Sequence, residues 1–162
     1  STGEVEPEDA LKLAKILSRR LPANELGIFL TKISETYDDT LSQESSLTLL
    51  TLKAANALSM NDKERAMKLL SEVVSKDPLN GSALLTLGSY YIQENELEKA
   101  LDYYDRASKV EAVKVDALLG ATRILVKRGK YLLAINRLKE AQSIKEQYFV
   151  AEYISTLEKF VN

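Results

Sequence analysis

The side chains with chemical potential in this chain are mainly cations, and they are placed unevenly. Residues 106 to 145 carry 10 Lys+Arg against 3 Asp+Glu, a net of +7. Residues 1 to 105 carry 11 against 18, a net of −7, and residues 146 to 162 carry 1 against 3. A formal net charge of −2 over 162 residues therefore hides a charge dipole. The basic group includes Arg106, Lys109, Lys114, Arg123, Lys127, Arg128, Lys130, Arg137 and Lys139. Such a cluster is either a solvated surface with uneven charge, or steers an acidic protein partner, or attracts the acidic part of a second copy in a head-to-tail contact. Nucleic acid is not expected, because the pI is near 5.4 and exposed aromatic residues do not cluster.

Chemistry beyond charge has little to work with. There is no His and no Cys, so the commonest general base, the thiol nucleophile and the thiolate metal ligand are all missing. The carboxylate pairs Glu94 with Glu96 and Asp102 with Asp105 lie in stretches full of charge and need no special role. No Gly-rich stretch resembles a phosphate cradle. We expect no enzyme, no metal and no cofactor. No run approaches the ~18 apolar residues of a membrane span. Ser1 to Asp9 are too polar and acidic for a secretory signal, and the sequence assigns no compartment. A first residue other than Met fits a processed protein or a piece of a longer one.

The elements that carry these residues recur. Ala66, Ala100 and Ala134 are 34 apart, and so are Leu50, Leu84 and Leu118. The same offset links Leu70, Tyr104 and Leu138, then Asn61, Asn95 and Gly129. The last trio is made of residue types that accept a positive φ, so each marks a turn. With three Pro and six Gly in the chain, helix is expected throughout. In the central unit, residues 81 to 114, a helix from about Ser82 to Glu94 follows the N-cap Asn80, and a second runs from about Leu97 to Val110. Gly88 and Ala100 are small enough for two axes to cross closely, and Tyr91 and Tyr104 fill the core. Their neighbours Tyr90 and Tyr103 lie toward the surface.

Leu84, Leu87, Gly88, Tyr91, Ala100, Tyr104 and Ala107 resemble the signature of the tetratricopeptide-repeat (TPR) family, with Leu84 in place of the usual Trp. Residues 47–80 and 115–148 match it more loosely. Val73 and Thr122 replace small residues there, and Ala112 and Glu146 replace a closing Pro. The resemblance implies an all-α fold, a right-handed α-α superhelix of helical hairpins. Residues 1–40 would form an atypical N-terminal hairpin, 41–148 three TPR-like repeats, and 149–162 a C-terminal capping helix, all in one domain. In the hairpin, Ala10, Leu13, Leu17 and Leu21 form one stripe, Pro22 ends the first helix, and a second runs from Ala23 to Tyr37. An acidic turn, Asp38-Asp39, follows. Thr40 and Gln43 have capping-box spacing, placing the next helix start near Leu41. At the far end Phe149, Tyr153, Leu157 and Phe160 are the expected inner face of the cap.

In TPR-like arrays the first helix of each unit lines a concave groove. Carrying that phase across places Thr51, Leu52, Ala55 and Leu58, then Leu85, Thr86, Ser89 and Ile92, then Leu119, Gly120, Arg123 and Lys127 on the groove. From these, Thr51, Ala55, Leu85, Ser89, Ile92, Leu119, Arg123 and Lys127 are the candidate peptide-binding residues. The groove is small and apolar and turns basic at one end, which suits a peptide with apolar anchors and an acidic group. A groove filled by the chain's own ends is the competing reading. The paired donors of the chaperone-tail clamps are missing, since Thr51, Ala55, Thr86, Asp116 and Gly120 stand at those positions. The resemblance thus implies a non-catalytic protein-protein interaction scaffold or adaptor. The alternatives are a structural or self-assembling segment of a longer solenoid, or a regulatory module of a larger protein.

Overall fold

The computed structural model describes residues 5–37 and 39–161. Asp38 of the expected acidic turn lies outside the described residues. The fold is all-α. Among the described residues there are nine α-helices, one 3₁₀ turn and no strand. They are α1 (Pro7–Leu17), α2 (Ala23–Tyr37), α3 (Gln43–Ser59), α4 (Lys63–Lys76), α5 (Gly81–Gln93), α6 (Leu97–Ala107), α7 (Lys114–Lys127), α8 (Tyr131–Ile144) and α9 (Tyr148–Glu158). The chain divides into two compact units, Ser1–Pro78 and Leu79–Asn162.

In the first unit, Ala10, Leu11 and Ala14 of α1 meet Leu26, Leu30 and Ile33 of α2 and Leu49 of α3 in one core. The expected stripe is corrected at one position. Leu13 is 46% exposed, while Leu11 and Ala14 are buried. Because α1 packs against both α2 and α3, its buried arc turns away from Leu13. The helix also stops at Leu17, five residues before Pro22, and the chain winds on in single turns to Leu21. The cap of α3 is Ser42 rather than Thr40. The Ser42 hydroxyl accepts the Ser45 N–H at 3.1 Å, and the Thr40 hydroxyl is turned back to the Tyr37 carbonyl. Gly27 of α2 lets Asn56 of α3 approach, since a Cβ at Gly27 would stand 2.9 Å from the Asn56 Nδ2. Val73, which stands in place of a small residue, is fully buried.

The second unit stacks α5 to α9. Asn80 caps α5 as expected, its Oδ1 accepting the Ala83 N–H at 3.1 Å. Helix α6 ends at Ala107, earlier than the spacing implies. The following residues wind into the 3₁₀ turn Glu111–Val113, which holds Ala112 where related repeats have Pro. Gly81 admits that turn, because a Cβ there would lie 2.5 Å from a Val113 methyl.

All three turn residues have positive φ: Asn61 at 58°, Asn95 at 60° and Gly129 at 68°. After each, a backbone N–H returns to a carbonyl five residues back, from Asp62 to Ala57, Glu96 to Tyr91 and Lys130 to Leu125. This bond satisfies a carbonyl that a helix end would leave open.

Helix α9 buries Val150 and Leu157 against Leu125, Ala134, Ile135 and Leu138 of α7 and α8, with Tyr153 and Ile154 packed alongside. The expected inner face is corrected here. Phe149 is 56% exposed and Phe160 is 66% exposed. Phe149 lies about 100° round the helix from Val150. Phe160 falls beyond the helix end, where its ring centroid sits 5.5 Å from that of Tyr131.

Candidate binding face

The candidate face in the second unit is built around Tyr104. The positions Ala100, Tyr104 and Ala107 form the buried stripe of α6. The Tyr104 ring lies between α5 and α7, over Gly88 on one side and Gly120 on the other. A Cβ at Gly88 would stand 3.0 Å from the ring, and one at Gly120 would overlap it. Glycine inside a helix costs roughly 0.5–1 kcal/mol relative to alanine. Room for the ring is what these two glycines provide. This corrects the place of Gly120, which is buried beneath Tyr104 and not free in a groove.

The phenolic end of Tyr104 reaches the side chains of Ser89 on α5 and Arg123 on α7. Burial pushes its pKa above the usual tyrosine value, and the Arg123 charge with hydrogen bonds from Ser89 and Arg123 pulls partly against that shift. Two of the expected site residues therefore meet at one polar point. Leu85 and Ile92 flank Ser89 on the same helix face, both half-buried.

Other expected site residues have local partners. Lys127 is exposed and its Nζ donates to Asn95 Oδ1 at 2.7 Å, tying α7 to the preceding turn. Leu119 is half-buried and packs against the core cluster that contains Val150 and Leu157. In the first unit, Thr51 and Ala55 are exposed on α3. The Thr51 hydroxyl donates to the Leu47 carbonyl at 2.8 Å. Leu52 packs inward against the first unit's core.

Most of the basic group is matched within its own unit. Arg128 meets Glu98 at 2.6 Å, Arg137 meets Asp105 at 2.8 Å, and Lys114 meets Glu140 at 3.1 Å. Lys139 meets Glu158 at 3.1 Å. Arg128 holds the Glu98 carboxyl below its ordinary pKa. The Arg123 charge instead acts on the buried Tyr104 phenol. The tyrosines also depart from expectation. Tyr91 is only half-buried; it stacks on Tyr103 with centroids 5.5 Å apart, and Tyr90 meets it edge-on at 5.3 Å. Arg106 lies over the Tyr103 ring.

Sequence reasoning assigned Tyr104 to the core and missed its hydroxyl. The signal lay in Gly120, a glycine inside a helix at the phase where the preceding unit has Thr86. Among the described residues no group of three His, Cys, Asp or Glu could hold a metal ion. No described helix is long and apolar enough to cross a membrane.

No family model matches the chain. Over 105 residues it is 20% identical to human tetratricopeptide repeat protein 21A, covering 65% of this chain and 7% of that protein. Over 77 residues it is 32% identical to the formate-dependent nitrite reductase complex bifunctional subunit NrfFG of Haemophilus influenzae, covering 45% of this chain and 20% of that one. The chain thus spans a fifth or less of the length of the curated relatives it matches. Among solved structures, MamA superimposes with a TM-score of 0.71 at 20% identity, over 87% of this chain and 79% of MamA. The N-terminal domain of stress-induced protein-1 from C. elegans gives 0.66 at 15% identity, over 74% of this chain and 99% of that domain. With paired helices, positive-φ turns 34 residues apart and these neighbours, the chain has the tetratricopeptide-repeat fold.

Proposed function

We propose that the chain is a non-catalytic interaction scaffold and that the α5–α7 face of its second unit binds a peptide or protein segment. The observation that carries this reading is the Tyr104 ring seated between Gly88 and Gly120, with Ser89 and Arg123 near enough to act on its hydroxyl and Leu85 and Ile92 half-buried beside Ser89. Leu119 and Lys127 extend the face along α7. In the first unit, Thr51 and Ala55 offer a contact surface of their own on α3. The polar point is rich in donors, which fits an acidic or carbonyl-bearing group on the ligand. Leu85 and Ile92 supply apolar contact beside it.

A peptide array followed by affinity measurement tests the reading. Arg123→Glu and Leu85→Glu should each weaken a selected peptide by at least about tenfold, the size of one lost charge-assisted contact. Unchanged affinity in both variants would refute the face.

A second reading is self-association, or a place within a longer array. Exposed Tyr148, Phe149, Leu132 and Leu133 near the second unit's last helices favour it. Sedimentation across protein and salt concentration separates the two, since a concentration-independent monomer at low salt removes self-association.

A further inference from the structure

We propose that Asn80 and Gly81 form a self-modification site, at which the chain converts its own asparagine to isoaspartate, and that the first turn of α5 is the gate that holds this site closed. Asn80 is the one Asn in the sequence followed by Gly. The turn asparagines Asn61 and Asn95 are followed by Asp62 and Glu96, whose side chains shield the next backbone nitrogen. In the reaction the Gly81 nitrogen loses its proton and attacks the Asn80 Cγ, and the side-chain amide leaves as ammonia. The succinimide ring so formed takes up water at either of its two carbonyls. One opening leaves aspartate at position 80, and the other leaves isoaspartate. Water is the only co-reactant, and nothing is oxidised or reduced.

Three contacts hold the reacting atoms apart. The Asn80 Oδ1 accepts the Ala83 N–H at 3.1 Å, which ties the side chain to the helix end. The Asn80 carbonyl accepts the Leu84 N–H at 3.0 Å, so the peptide joining Asn80 to Gly81 cannot rotate without breaking the first bond of α5. Gly81 is buried, with Val113 and Val110 methyls 2.5 and 3.2 Å from where its Cβ would stand. Ring closure has to release all three. An end turn opens at a lower free energy than the whole fold, so the turn sets the rate. The two products then differ. Aspartate keeps the backbone and the cap, and α5 has no other acidic residue in its first turn, so a charge at the helix's positive end is favourable. Isoaspartate routes the main chain through the former side chain. The cap is lost, and the carbonyl that served Leu84 is displaced.

The whole chain is incubated at mildly alkaline pH, folded in buffer and unfolded in concentrated urea. Peptide mass spectrometry follows asparagine, aspartate and isoaspartate at position 80. In urea Asn80 should convert before any other asparagine, with isoaspartate the major product. In the folded chain conversion should be at least about tenfold slower. Val113→Ala strips the methyls from over Gly81 and should speed folded-chain conversion about threefold or more, with the rate in urea unchanged. Leu157→Ala loosens α9 and leaves Gly81 covered, so it should speed conversion less. Asn80→Asp should match or exceed the parent's thermal midpoint, and the refolded isoaspartate form should melt lower. Equal rates in the folded and unfolded chain overturn the proposal. So does equal acceleration by Val113→Ala and Leu157→Ala, which would make whole-unit unfolding the gate, and so does a lowered midpoint in Asn80→Asp. The folded-against-unfolded comparison needs no variant, so misfolding of Val113→Ala would leave it decisive.

Discussion

Gly120 is fixed by a ring from another helix. A Cβ there overlaps Tyr104, whereas one at Gly88 would touch the same ring at 3.0 Å. Gly120→Ala should therefore lower stability by about 1–3 kcal/mol, the usual cost of overpacking, and Gly88→Ala by less. Urea unfolding midpoints at constant slope measure both. In a Tyr104→Leu background the Gly120→Ala cost should shrink, because the two residues are coupled through one contact. An unchanged cost would mean that the ring is not what the glycine accommodates. Gly129 has its φ of 68° and open space around it, so its constraint is conformational only. That class of constraint is legible in a sequence, since few residue types accept a left-handed backbone. Asn61, Asn95 and Gly129 were readable for that reason. The surroundings of the Tyr104 hydroxyl were not. Where a buried tyrosine ring passes depends on small residues in the next hairpin, and Gly120 reports that only when the two hairpins are read together.

Helix α9 separates what periodicity can and cannot fix at the level of an element. Its existence and position after Tyr148 were legible from apolar spacing. Its buried face was misread by one residue, because Phe149 with Tyr153 and Val150 with Tyr153 both satisfy helical spacing. The true face carries Val150 and Leu157, with the bulkier Phe149 left outside. Leu157→Ala should cost about 2–5 kcal/mol, and Phe149→Ala should stay within about 0.5 kcal/mol. Chemical denaturation of the two variants side by side checks this, and equal effects would contradict the packing. The same ambiguity displaced the α1 stripe onto Leu13. Capping was misplaced by two residues for a different reason. Ser42 and Thr40 both carry a suitable hydroxyl, and the one on Thr40 is taken up by the Tyr37 carbonyl.

Across the whole molecule, alkaline pH is where titration should bear on stability. There is no imidazole to titrate near neutrality. Tyr104 has a raised pKa from burial, opposed in part by Arg123 and Ser89. Tyr103 is raised by burial and then by the neighbouring Tyr91. A raised folded-state value means that the neutral phenol's stabilisation is complete below pH about 10, and is lost as pH climbs through the folded pKa. Thermal midpoints should be level through neutral pH and fall beyond about 10, and Tyr104→Phe should soften that fall. A midpoint that declines equally in Tyr104→Phe would assign the loss elsewhere.

The passage of one ring between two helices also limits modularity. A tandem duplicate of residues 81–114 would bring Thr86 to the place of Gly120, facing the ring. Thr122, which holds the phase of Gly88, is itself packed tight with its hydroxyl turned onto the Leu118 carbonyl. This hairpin is consequently not an interchangeable brick: α5 and α6 are cut to fit α7, and that order is written into the side chains at the seam.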